Sequence, residues 1–104
     1  MPGDSALVNG RRLEELVREI VAEVLVISVE EARPGAALVR DLGAESIDFM
    51  DLVFRLEDAL ETRIPYTRWQ RFLEVRLAGA DLSAAITPEV VQLFATEEIE
   101  RASG

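Results

Sequence analysis

The chain has 104 residues, 49% apolar and 30% charged, with 20 acids against 11 bases and a net charge of −9. That length is one domain's worth and that composition is globular; the acidity opposes binding to nucleic acid or anionic membranes, which needs basic side chains to neutralise phosphates, and suits partners with basic patches. Cysteine, histidine and lysine are all missing, which excludes disulfides, thiolate or imidazole metal sites, Cys- or His-dependent nucleophilic catalysis, and Schiff-base or P-loop lysine chemistry.

In chain order, residues 1–10 read as a flexible arm ending at the turn-like Asn9-Gly10, and 11–104 as a single domain. From Arg11 the pattern is helical: Leu13, Leu16, Val17, Ile20, Val21 and Val24 recur at three- and four-residue steps and form one apolar face. LVISV (25–29) is β-branched, but Pro34 and Gly35 follow closely, so it reads as a helix end leading into a loop. Leu38, Val39 and Leu42 give that long loop enough apolar weight to pin it to the core, and Gly43 supplies a turn.

A second helix is predicted from Ser46 to about Glu61. Asp48, Asp51, Arg55 and Asp58 make a polar stripe, while Ile47, Met50, Val53, Phe54, Leu56 and Leu60 occupy the other sides. A helix so apolar around its circumference is expected to be packed by several neighbours. Beyond Ile64-Pro65, Thr67 is the expected cap of a helix through Ala78, with Trp69, Phe72, Leu73 and Leu77 inward and Gly79 as the stop. Arg68, Arg71 and Arg76 on it read as solvated charges or as a docking surface. Thr87-Pro88 starts a last helix to about Ala102, with Val91, Phe94 and Ala95 inward. No strand pair or Asn-Gly hairpin is expected. The sum is an all-α fold.

Ser46 carries two readings. Serine is among the best N-caps, with Asp48 placed to suit the helix dipole, although a full capping box would need Glu or Gln where Phe49 stands. The other reading comes from a resemblance. DLGAESIDFMDLVFRLEDALETRIP (41–65) resembles the core of an acyl carrier protein, and the likeness runs back through SVEEARPGAALVR to Leu13, about half the chain. It rests on LGA, Ser46 followed by an aliphatic residue and Asp48, an acid at Asp51, LxxRLE, and the closing Ile64-Pro65.

The resemblance implies a small four-helix bundle of discrete type, with a long loop between helices 1 and 2 and an extra segment, 66–87, before the last helix. It implies 4′-phosphopantetheine joined to Ser46 and donated from coenzyme A, supplying the thiol this chain lacks. The arm would carry acyl groups as thioesters for fatty-acid or polyketide-type synthesis. Alternatives are a peptidyl or aminoacyl carrier, or an unmodified interaction module. Implied partners are a phosphopantetheinyl transferase and acyl-transferring and chain-extending enzymes with basic docking patches. They would be met by Glu45, Asp48, Asp51, Arg55, Glu57 and Asp58, and Asp48 is also a candidate contact for the transferase's Mg²⁺. Met50, Val53, Phe54 and Leu56 are core candidates that would line an acyl-chain pocket. Glu45 departs from the aspartate usual before the serine, and Arg55 from an all-acidic helix face. Arg55 reads as an intrahelical salt-bridge partner or as part of a narrowed recognition code.

No catalytic activity of its own and no metal site are expected, since so small a helical domain leaves little room for a deep cleft. With no apolar run near the ~18–20 residues of a membrane span and no secretion signal in MPGDSALVNGRR, a cytoplasmic monomer is expected.

Overall fold

The computed structural model describes residues 7–8 and 10–103. Much of the proposed arm, residues 1–6 and 9, lies outside them. What is described there departs from expectation. Leu7–Val8 (β1) pairs antiparallel with Arg11–Arg12 (β2), Leu7 opposite Arg12 and Val8 opposite Arg11. Gly10, at φ 81°, helps the chain reverse. The pairing keeps Arg12 extended (φ −70°, ψ 137°), so the first helix begins at Leu13 rather than Arg11.

That helix, α1 (Leu13–Leu25), buries Leu13, Val17, Ile20 and Val21, the face its spacing predicts. It ends at Val26, which is left-handed (φ 56°, ψ 51°) and 88% exposed. A β-branched residue is rare in that conformation, which helix ends usually assign to glycine. The loop that follows is held by side chains as well as by apolar weight. Arg18 donates from Nε to the Ala32 carbonyl and from Nη2 to that of Val29, both at 2.9 Å. Ala32, Ala36, Ala37 and Leu38 are buried.

Four further helices complete the bundle: α2 (Ser46–Leu60), α3 (Tyr66–Arg76), α4 (Leu82–Ala85) and α5 (Pro88–Ser103). The α1 helix packs mainly on α2 and α5, while α3 leans on α2. Short α4 falls where no helix was expected. Its Asp81 carboxylate accepts the Ser83 N–H at 3.1 Å, and the segment bonds back to the long loop through Leu38 N–H to Ile86 O (2.9 Å) and Arg40 N–H to Ser83 O (3.0 Å). The α5 start is as predicted, with the Thr87 hydroxyl accepting the Val90 N–H at 3.3 Å.

Trp69 centres the core. Phe49 of α2 lies 6.0 Å away, ring centroid to centroid, Phe72 5.7 Å and Phe94 5.1 Å, the last edge-on at 79°. The arginines of α3 are not all left to solvent. Arg68 Nε donates to both oxygens of Glu98, at 3.1 and 3.0 Å, and Arg76 pairs with Glu97. Glu98 is only 2% exposed, so Arg68 and Arg101 (3.6 Å) supply the opposite charge that a buried carboxylate needs.

Candidate functional site

Ser46 is not the cap of α2. Glu45 holds that position, extended at φ −114° and ψ 170°, and Ser46 is the first helical residue. Asp48 Oδ2 accepts the Glu45 N–H at 2.8 Å, and the Asp48 N–H bonds to the Glu45 carbonyl at 2.9 Å. The acid that a capping box needs is therefore present, counted from Glu45 rather than from Ser46. Packing sets this register: Phe49, three residues after Ser46, is committed to Trp69 and buried. Ser46 is left exposed, and among the described residues its hydroxyl has no hydrogen-bond partner.

The loop aims this helix start outward. Gly43 is left-handed at φ 77°, a conformation that costs glycine least. Ala44 is buried and donates its N–H to the Leu38 carbonyl at 2.8 Å. One buried residue thus anchors the approach, and the next two, Glu45 and Ser46, face solvent.

Two expected core residues are on the surface instead. Met50 is 55% exposed and Phe54 67%, and Ile47 beside Ser46 is 69% exposed. Phe49 turns to α3 and Leu52, Val53 and Leu56 fill the interior, but among the described residues no element buries Ile47, Met50 or Phe54 on the other side of α2. Val53 and Leu56 are buried as predicted; Met50 and Phe54 cannot line an interior pocket. The cleft between α1 and α2 beneath the helix start, walled by Val24, Leu25, Leu38, Phe49 and Leu52, measures about 10 Å³. That is room for about one water molecule.

The charged residues named from sequence are spread along α2 with different duties. Glu45 and Asp58 are exposed, and Asp48 is half-buried by its capping bond. Asp51 accepts from Arg55 Nε at 3.1 Å. Glu57 turns inward, its Oε2 accepting the Ile64 N–H at 3.2 Å and so fastening the turn that ends the helix. Arg55 also reaches Glu23 of α1, donating from Nη1 at 3.1 Å. Glu23 was not singled out from sequence, and with the two 32 positions apart no local spacing could reveal the pair. Spacing alone puts Ile47, Asp51, Phe54 and Asp58 on one face, at four- and three-residue steps, but does not report whether that face is covered.

An unengaged serine hydroxyl at a helix N-terminus, ringed by exposed apolar and acidic side chains, suits attachment of a phosphate-linked group. The free backbone N–H groups and dipole of the first turn favour a phosphate there. The family model described as "phosphopantetheine attachment site" matches residues 15–68, just over half of the chain. The chain belongs to this family. Its members are carrier domains, non-catalytic in themselves, to which 4′-phosphopantetheine is covalently attached and which work with phosphopantetheinyl transferases and partner enzymes. In this carrier domain the match takes in α1 from Glu15 onward, the long loop, α2 and the first residues of α3, with Ser46 inside it; α4 and α5 lie beyond it. No helix among the described residues is long and apolar enough to cross a membrane.

Proposed function

We propose that this chain is an acyl carrier protein of fatty-acid or polyketide type, modified on Ser46 and serving separate enzymes in the cytoplasm. The observation that carries the attachment site is the freedom of the Ser46 hydroxyl. Glu45 and Asp48 satisfy the helix start without it, so adding a phosphodiester there removes no bond from the fold. When bound, phosphopantetheine supplies a terminal thiol that holds an acyl group as a thioester. The chain's own residues do the rest. The first turn of α2 offers N–H groups and positive dipole to the phosphate. Ile47, Met50 and Phe54 give a partner an apolar contact beside the attachment point, and Glu45, Asp48 and Asp58 attract its basic groups. Asp51, Arg55 and Glu57 join this face with their charges partly spent on internal bonds. Among the described residues no side chain hydrogen-bonds the Ser46 hydroxyl to act as its base, so the transferase must activate it.

Of the acyl-chain pocket expected from Met50, Val53, Phe54 and Leu56, only Val53 and Leu56 face the interior. An acyl chain entering beneath the helix start, where the space measures about 10 Å³, would require α1 and α2 to part there. The test of attachment is intact-protein mass after incubation with coenzyme A, Mg²⁺ and a broad-specificity phosphopantetheinyl transferase, run beside Ser46→Ala. One added phosphopantetheine on the parent and none on the variant is the expected result. No addition to the folded parent, with a control carrier modified in parallel and a cognate transferase also tried, would leave an unmodified interaction module. Loading with acyl groups against aminoacyl groups then separates this reading from a peptidyl carrier.

A further inference from the structure

Arg55 is the single base of α2, whose other charges are Asp48, Asp51, Glu57 and Asp58. It sits at the middle of the exposed face, and its guanidinium is divided between two acids from different helices: Asp51 of α2 and Glu23 of α1, each at 3.1 Å. The three side chains are 42%, 44% and 64% exposed. Ion pairs this open to water add little to stability, so clamping α1 to α2 is a minor consequence. The larger one is the charge seen from outside. Arg55, Glu23 and Asp51 border, with Leu16, Ile20 and Phe54, a groove of about 360 Å³ between the helices. Two carboxylates that would otherwise meet an arriving base there are already satisfied from within.

We propose that Arg55 determines which partners dock beside Ser46, by closing Glu23 and Asp51 to incoming bases. Acid with no ion-pair partner among the described residues then remains exposed at the two ends of α2, Glu45 near Ser46 and Asp58 and Glu61 at the far end, with exposed apolar side chains between and Asp48 engaged in its capping bond. The partner that fits is a protein whose basic side chains are set apart to meet those ends, with an apolar or hydrogen-bond-accepting centre. A partner carrying a base at the centre meets the Arg55 charge and is disfavoured, a repulsive element of the kind that gives specificity. This rests on the carrier reading and deepens it.

The test measures initial rates of phosphopantetheine transfer against ionic strength, using a broad-specificity transferase with a uniformly basic docking surface. Parent, Arg55→Lys, Arg55→Gln and Arg55→Glu are compared, with melting temperature recorded for each. One charge at close range in water is worth about a fivefold change in encounter. Arg55→Gln is therefore expected to raise the low-salt rate about 3- to 5-fold, and Arg55→Glu further, both with a steeper fall as salt rises. Arg55→Lys, which keeps the charge but lacks the fork to span both acids, should fall between the parent and Arg55→Gln. Adding Asp51→Asn to Arg55→Gln should bring the rate back down. Complete modification of every variant at equal rates and equal salt slopes, with only melting temperature changed, would overturn the role of Arg55 alone. No mass gain on parent or variants, with a control carrier modified, would instead overturn the carrier reading beneath it.

Discussion

Helices α2 and α3 carry similar large apolar side chains and treat them in opposite ways. On α3, Trp69 and Phe72 are buried against Phe49 and Phe94, and the neighbouring charges are paired with α5. On α2, Met50 and Phe54 stand in water with acids around them. The difference follows from neighbours: α3 has Phe49 of α2 and Phe94 of α5 to close over it, while among the described residues nothing buries Met50 and Phe54 on α2. Exposed apolar side chains grouped on one face suit a surface for another molecule. The α3 side stabilises, and the α2 side is the one we propose for partners.

Substitutions can break that division. Trp69→Ala should have the largest effect, a loss of about 3–5 kcal/mol in urea unfolding, because it empties the centre of the aromatic cluster. Arg68→Met comes next, at about 2–3 kcal/mol, since it leaves Glu98 buried with only Arg101 at 3.6 Å for compensation. Glu98→Gln should cost less, because the freed Arg68, one-third exposed, can turn to water. A larger loss for Glu98→Gln than for Arg68→Met would show that burial of the acid is not what matters.

The reverse pattern is expected on α2. Phe54→Ser and Met50→Ser should each change stability by no more than about 0.5 kcal/mol while slowing phosphopantetheine transfer several-fold, because an apolar contact at the docking face is lost. Were these residues core, as the sequence pattern suggests, each would cost about 2–5 kcal/mol. Ser46→Ala sharpens the same point at the helix start: it should abolish the mass gain yet shift stability by less than the roughly 1 kcal/mol of a lost N-cap.

These contrasts also explain what could be read in advance. The start of α5 was legible because Thr87 caps it locally, within three residues. The apolar face of α1 was legible because a long run repeats it. The cap of α2 was misplaced by one residue because Phe49 fixes the register through Trp69, 20 positions on, and no local motif reports that contact. Met50 and Phe54 were placed in the core because periodicity gives the side of a helix a residue occupies, not whether a neighbour covers it. The Leu7–Val8 pairing and α4 are too short to leave any periodic trace. Ser46 stood out through family resemblance, whereas its freedom from capping emerged only in three dimensions.

The smallest expected effect concerns the seam that holds the long loop against α4, and so the approach to Ser46. Asp41 Oδ2 accepts the Ala37 N–H at 3.0 Å, and that bond, with Arg40 alongside, holds its carboxyl below the ordinary aspartate range. Asp81 is lowered too, first by the Ser83 hydroxyl at 2.7 Å and then by the Ser83 N–H. In both cases the folded state binds its proton less readily than the unfolded chain does. The stabilisation is therefore full above the unfolded value and is lost as pH falls through the folded one. Amide exchange at Ala37 and Ser83 should quicken as pH falls below the ordinary aspartate range, relative to α1 amides and after correction for intrinsic exchange. Asp41→Asn should flatten this response at Ala37 while leaving it at Ser83. Equal flattening at both sites would mean that the two acids titrate as one unit, and that the seam opens as a whole rather than bond by bond.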